Sequence, residues 1–259
     1  MMTRKAIVMG ASSGIGMEVA KLLAERGWQV GIAGRRVDRL EAVMWSHDGI
    51  VCCQRIDVTS ADAPDRLRGL IDELGGMDLY FHSSGIGWQN GELDIDKELK
   101  TVETNGVGFV RMVDTAFNWF AEKGGLACSG HSEAVPAHSI PCRIACITSI
   151  AGTKGLGAAP AYSSTKRFQS HYLECLTQQA RMRHLPISIT DIRPGFVRTA
   201  LIDGSDYPLQ LDAKRVAHDI VKAMERGKAV KVIDWRYAIL VFFWRLIPRW
   251  LWTRILFAK

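Results

Sequence analysis

Lys5–Met9 is an apolar run that breaks into Gly10-Ala11-Ser12-Ser13-Gly14-Ile15-Gly16, after which apolar residues recur three and four apart at Ile15, Val19, Leu22 and Leu23 as far as about Arg26. Strand, glycine turn and amphipathic helix in that order constrain the chain more than any other stretch. A helix fed by a strand packs back on the sheet as a right-handed crossover to a parallel neighbour. The turn also has the chemistry of a phosphate site. Gly10 permits the tight reversal, Gly14 and Gly16 let the backbone approach a pyrophosphate, and the N–H groups of the helix start meet its negative charge, with Ser12, Ser13 and Ile15 in the same loop.

The alternation continues along the chain. Further strands are expected at Gln29–Gly34, Ile50–Ile56, Asp78–His82, Arg143–Thr148, Ile187–Ile192 and Ala229–Ile233, and helices over Ala61–Leu74, Lys97–Ala121, Ala159–Arg183 and Asp212–Arg226. Asn105-Gly106 is poor helix chemistry, so the long helix should kink there or carry a functional residue. Six to seven strands with intervening helices imply an α/β fold, a Rossmann-like doubly wound parallel sheet flanked by helices. With 259 residues and no shift in composition, residues 1–259 are expected to form one domain, with 235–259 as a basic, aromatic tail.

The formal charge of +6 is concentrated in that tail region: residues 228–259 carry Lys228, Lys231, Arg236, Arg245, Arg249, Arg254 and Lys259 against Asp234 alone, and the rest of the chain is neutral. The charge therefore speaks of the tail, and no nucleic-acid partner is expected. Cys52, Cys53 and Cys146 lie in apolar runs and read as buried thiols. The start of the chain has no apolar leader, and a cytoplasmic setting is expected.

Tyr162 and Lys166 are four apart and share one face of a helix. An ammonium beside a phenol is expected to lower its pKa from about 10 toward working pH, where it serves as general acid or base. Ser149 ends an apolar strand and could hold a carbonyl oxygen facing that helix. Arg35-Arg36 stands at the end of the second strand, where an NAD-selective site carries Asp or Glu. Two guanidinium groups there favour a 2′-phosphate, hence NADP(H), with Arg35 the first candidate and Arg36 the second.

With these residues assembled, residues 3–234 resemble the short-chain dehydrogenase/reductase family, through Gly10-x-x-x-Gly14-x-Gly16, Asp57-Val58, Asn105, Ser149, Tyr162-x-x-x-Lys166 and Pro194-Gly195. The resemblance implies that Tyr162 is the acid in reduction, that Lys166 binds the nicotinamide ribose and tunes the phenol, that Ser149 orients the substrate oxygen, and that Asn105 holds a water relaying protons to Lys166. It further implies adenine contacts from Asp57 and Val58 and nicotinamide contacts from Pro194–Thr199, including Gly195 and Val197. Where the family has Asn-Asn-Ala-Gly, this chain has His82-Ser83-Ser84-Gly85. Ser83, Ser84 and Gly85 are expected still to line the cofactor site, and His82 to be a packed structural residue.

Gly124–Cys142 reads as a long surface loop away from the chemistry. Its His131, His138, Cys128 and Cys142 lack metal-ligand spacing, so no metal is expected. The tail from Trp235 to Lys259 places Trp235, Trp244, Trp250 and Trp252 among apolar residues and arginines, and Pro248 should divide it into two short helices. Such a stretch suits a membrane interface, a cover over the substrate cleft, or a subunit contact. The expectation is an NADPH-dependent carbonyl reductase acting reversibly on a ketone or alcohol, with a substrate that the Phe196–Leu211 loop (Tyr207 and Leu209 included) and the tail suggest is apolar or lipid-like. A homo-dimer or homo-tetramer is expected, with peripheral contact at the inner membrane face through the tail. A non-catalytic NADP(H)-sensing or scaffold protein, or an epimerase or dehydratase on the same fold, are the alternatives.

Overall fold

The computed structural model describes residues 3–123, 142–199 and 209–255. Seven parallel strands, β1 (Lys5–Met9), β2 (Gln29–Gly34), β3 (Ile50–Arg55), β4 (Leu79–His82), β5 (Cys142–Ile147), β6 (Ile187–Arg193) and β7 (Val230–Val232), lie in the order β3-β2-β1-β4-β5-β6-β7. The order reverses between β1 and β4, so a crevice opens beyond their carboxyl ends, where ligands of doubly wound sheets bind.

Both faces of the sheet are buried, which is why its central strands are apolar throughout. Ala6 and Val8 point to one face, packed with α1 (Gly14–Glu25), α2 (Val37–Trp45) and α7 (Ala213–Glu225), while Ile7 and Met9 point to the other, packed with α3 (Ala63–Leu74), α5 (Phe109–Glu122) and α6 (Pro160–Met182). The register pairs Val8 with Ile32 and Phe81.

The helix expected over Lys97–Ala121 is interrupted. It runs as α4 (Ile95–Val102), widens into a π turn at Glu103–Gly108, and resumes as α5. Asn105 and Gly106 lie within that turn, so the helix-poor dipeptide marks the irregularity. The tail forms α8 (Trp235–Leu246) and α9 (Arg249–Trp252), parted at Pro248, whose ring cannot continue the helix. Tyr237 and Val241 of α8 enter the core, and the Trp244 and Trp252 rings meet edge to face at 5.4 Å. Cys52, Cys53, Cys146 and Cys175 are free thiols; Cys142 is disulfide-bonded, a bond not foreseen from the sequence. The expected 124–142 loop, apart from Cys142 itself, and Tyr207 lie outside the described residues.

Candidate active site

Each expected site residue follows the carboxyl end of a strand except Asn105, Tyr162 and Lys166, which helices bring to the same end. After β1, Gly10 adopts φ +86°, and an added Cβ would lie 2.7 Å from the Ser84 nitrogen and 2.8 Å from the Ser83 carbonyl carbon. The glycine turn is thus pressed against the segment after β4. A Cβ on Gly16 would strike the Gly10 carbonyl, and one on Gly14 (φ +58°) would lie 3.1 Å from Thr199 Cγ2, so the loop after β6 closes over the turn. The α1 N-terminus has no side-chain cap, its Ser13 hydroxyl being engaged elsewhere, and no acidic residue in its first turn. Its unbonded N–H groups, with Ile15 beside them, retain the partial positive charge that an anion neutralises.

Arg36, at the start of α2, reaches back across this turn. Its Nη2 donates to Ser12 Oγ at 2.8 Å and to Ser13 Oγ at 2.7 Å. Burial, with the charges of Arg39 and Arg35, pulls its pKa down, so the guanidinium sits where added negative charge is favoured. It is Arg36, second of the expected pair, that joins the loop through these bonds, although both arginines are exposed. Neighbouring residues at a strand end point opposite ways, which sequence order alone does not resolve. Glycine turn, helix start, serine hydroxyls and guanidinium together fit the phosphates of a dinucleotide. After β3, Asp57 Oδ1 accepts from the Thr59 hydroxyl at 2.8 Å, and Val58 is buried against Gly108.

On the other side of the crevice, Ser149, two residues beyond β5, accepts the Ala151 N–H on its Oγ at 3.1 Å. Ile150 N–H donates to the Pro194 carbonyl at 3.1 Å, fixing the Ser149 turn to the loop after β6. Gly195 packs against the Tyr237 ring, whose hydroxyl accepts from Phe196 N–H at 3.2 Å, and Val197 is buried. Ser163 donates to the Ala151 carbonyl at 2.8 Å, tying the same turn to α6 one residue after Tyr162. Glu98 of α4 also steadies α6: its Oε2 accepts the Ala161 N–H at 2.9 Å.

Tyr162 is half-buried and hydrogen-bonded to Ser149. Here the sequence expectation is corrected. Burial raises the phenol pKa, the Ser149 bond offsets only part of this, and Lys166 does not pull it down. The reason is geometric: the ammonium lies 5.8 Å from the Tyr162 ring centroid and is engaged by other partners. Lys166 Nζ donates to the Ile147 carbonyl and to Gln169 Oε1, each at 2.9 Å. Burial brings its pKa down to about 8, against the charges of Cys146 and Asp191.

Asn105 is fully buried in the π turn. Its Oδ1 accepts Ile86 N–H at 2.9 Å, and its Nδ2 donates to the Ile86 carbonyl at 2.7 Å and to Thr165 Oγ1 at 3.2 Å. Asn105 is the residue expected to hold a relay water, and its main-chain carbonyl accepts from Gln169 Nε2 at 2.8 Å. Gly85 lies close to both Asn105 and Lys166, and Gly87 lies under the Tyr162 ring. His82 is fully buried, its Nδ1 2.9 Å from the Tyr80 hydroxyl and its ring edge-on to Phe109, and burial takes its pKa to about 3. It is a packed, neutral residue. Gln169, Glu98 and Gly87 were missed from sequence. Their types signal nothing alone, although Gln169 is three residues past Lys166 and so shares its helix face.

An open cleft of about 230 Å³, lined by Glu18, Lys21, His47 and His218 among others, contains none of the residues above.

The chain matches the short chain dehydrogenase family over residues 4–206. It is 30% identical over 255 residues to an uncharacterized oxidoreductase of Myxococcus xanthus, covering 95% of this chain and 93% of that one. It is 27% identical over 281 residues to dehydrogenase/reductase SDR family member 7B of Rattus norvegicus, covering 98% of this chain and 80% of that one. Among solved structures, a variant of actinorhodin polyketide ketoreductase with NADPH superposes with a TM-score of 0.73 at 22% identity, over 89% of this chain and 95% of that one. An alcohol dehydrogenase of Thermococcus sibiricus complexed with 5-hydroxy-NADP gives 0.72 at 19%, over 90% and 96%. Those two likenesses concern the fold, and the family match together with the Myxococcus relative establishes membership: this chain is an oxidoreductase of the short-chain dehydrogenase/reductase family.

Proposed function

We propose that this oxidoreductase is an NADPH-dependent carbonyl reductase, reversible as an alcohol dehydrogenase, acting on an apolar or lipid-like ketone. The observation that carries the reading is the meeting of Ser149, Tyr162 and Lys166 at one end of the sheet, facing a glycine turn crossed by Arg36. When bound, the reduced nicotinamide supplies a hydride to the carbonyl carbon. Ser149, held by the β5 end and the Ala151 N–H, positions the carbonyl oxygen. Tyr162 donates its phenolic proton to that oxygen. Because burial raises its pKa, Tyr162 rests as the neutral acid that reduction requires. Lys166 uses two of its three N–H donors on Ile147 and Gln169, leaving one for the ligand or phenolate.

The NADPH preference rests on Arg36, since a guanidinium beside two serine hydroxyls meets a 2′-phosphate with charge-assisted bonds. No described helix is long and apolar enough to cross a membrane. The tail supports surface contact instead. Trp235, Phe242, Phe243, Leu246 and Trp250 are exposed on α8 and α9 among Arg245, Arg249 and Arg254. A second copy laid on this face by a twofold axis would bring arginines together, whereas anionic lipid complements them. Self-association is assigned to another face, where Ile95, Leu99 and Val102 are exposed along α4. A homo-dimer or homo-tetramer built there leaves the tail open to the cytoplasmic membrane surface.

The test is NADPH oxidation by the purified chain with ketones of increasing chain length. Tyr162→Phe should lower kcat by roughly 10²–10⁴-fold, the worth of a positioned general acid, with unchanged melting temperature. Turnover retained in that variant refutes the assignment. Substrate conversion without net NADPH loss indicates an epimerase or dehydratase, and tight nucleotide binding with no turnover on any ketone indicates a sensing or scaffold role.

A further inference from the structure

Between Lys166 and Asn105 the site holds a side chain where the family resemblance places a water. Gln169 is fully buried on α6, one turn beyond Lys166. Its Oε1 accepts from the Lys166 ammonium at 2.9 Å, and its Nε2 donates to the Asn105 carbonyl at 2.8 Å. Both ends of the carboxamide are therefore used. The Asn105 side chain bonds Ile86 and Thr165, so the direct link from Asn105 to Lys166 runs through its carbonyl and Gln169. A water in this position both accepts and donates exchangeable protons. A carboxamide makes the same two bonds, but its N–H and C=O ends are fixed in role.

We infer that Gln169 is a positioning residue that replaces a relay water: it pins the Lys166 ammonium to the Asn105 carbonyl and closes that side of the site to proton transfer. The inference rests on the proposed pairing of Tyr162 as acid with Lys166. For each carbonyl reduced, the Tyr162 O–H bond breaks as the substrate O–H bond forms, leaving a tyrosinate. A proton must then return to that oxygen. With the Asn105 side sealed, it comes from water in the open crevice, to which the half-buried phenol has access.

Two substitutions separate a sealing side chain from a merely space-filling one. Gln169→Ala removes the carboxamide and leaves room for water, whose share of liquid volume is about 30 Å³; Gln169→Met keeps the volume and deletes both hydrogen bonds. The readout is the titration of Lys166 in the nucleotide-free protein, followed through its side-chain carbon and nitrogen resonances and assigned with Lys166→Met. In the wild type it should titrate at about 8. The ammonium is the charged form, so returning water in Gln169→Ala stabilises it and moves the midpoint up. Losing an acceptor without water in Gln169→Met moves it down. Solvent exchange of the ammonium protons should be at least roughly tenfold faster in Gln169→Ala, in proportion to the path opened. With NADPH and ketone, the alkaline limb of the kcat profile should follow each midpoint. Midpoints that move together, or not at all, overturn the inference. So does unchanged exchange in Gln169→Ala. If Gln169→Met does not fold, Gln169→Leu replaces it. Failure of the Tyr162 assignment is read separately, from Tyr162→Phe turnover, since the titration needs neither cofactor nor substrate.

Discussion

Gly87→Ala is the sharpest test of where the phenol must stand. Gly87 is outside the left-handed region, so alanine costs nothing in backbone conformation there. The conflict is steric. An added Cβ would lie 2.8 Å from Tyr162 Cγ and 2.9 Å from Cε2, and closer still to Cδ2. Carbon atoms settle at about 3.5–4.0 Å, so ring and methyl must separate by ~1 Å. The segment after β4 cannot yield, because Ile86, the preceding residue, is bonded through both N–H and C=O to the Asn105 amide. Nor can the α6 backbone, which Glu98 and Ser163 hold on either side of Tyr162. The ring itself must move. A displacement of ~1 Å of a reacting group costs about 10²-fold in rate, or about 2.7 kcal/mol at 1.36 kcal/mol per decade. Steady-state kinetics with NADPH and the best ketone should therefore show kcat down about 100-fold, NADPH affinity little changed, and a melting temperature close to wild type. Gly91→Ala, whose Cβ meets nothing within 4 Å, is the matched control and should behave as wild type. A kcat for Gly87→Ala within threefold of wild type, with the fold intact, would show that the phenol's position is not what limits turnover.

Two further outcomes are expected. Arg36→Ala should weaken NADPH binding by about 10- to 100-fold, the worth of a hydrogen bond to a charged group, and leave NADH within threefold, as nucleotide titrations would measure; equal losses for both nucleotides would assign Arg36 to the loop's structure instead. In co-sedimentation, the protein should bind vesicles containing phosphatidylserine, release in high salt, and ignore pure phosphatidylcholine. Replacing Phe242, Phe243 and Leu246 together by serine should abolish binding while a short-chain ketone is still reduced, and salt-insensitive binding would count against the arginines.

Much of this architecture is legible in the sequence because its signals are local. The strands are buried on both faces and so are nearly uninterrupted apolar runs, as in Ala6–Met9 and Leu79–Phe81, and each ends where small or polar residues begin. The glycine turn is legible for the same reason: Gly10 and Gly16 are constrained by backbone that would collide with any Cβ, and Gly14 by its positive φ. What escaped depends on partners distant in the chain. Glu98 caps α6 from 63 positions away, and Gln169 answers Asn105 from 64. Neither type has a periodic signature. The sense of the Tyr162 shift was misread because an i,i+4 spacing brings side chains to one face without fixing which atoms they bond. Lys166 turned to Ile147 and Gln169, and burial decided the phenol's pKa.

The tail, whose sequence suits a cleft cover as well as a membrane or subunit contact, is fastened to the segments proposed to carry the chemistry. Trp252 Nε1 donates to the Gly155 carbonyl and Lys154 Nζ to the Ile247 carbonyl, each at 2.7 Å, on the loop that joins Ser149 to Tyr162. Tyr237 receives Phe196 N–H and donates to the Leu209 carbonyl at 3.0 Å, bracing the loop after β6 from the other side. Tyr237 of α8, with Ile247 and Trp252 beyond it, thus holds two loops on one side of the crevice, while the outward residues of α8 remain apolar and solvent-facing among arginines. A helix apolar on both sides is stable only when both are covered. If the outward face rests on lipid, the same element that braces the loop after β6 is seated in the medium where an apolar ketone is most concentrated. Membrane contact and substrate class are then one property of α8, so substitutions confined to Phe242, Phe243 and Leu246 should lower turnover of vesicle-borne long-chain ketones and spare that of water-soluble ones.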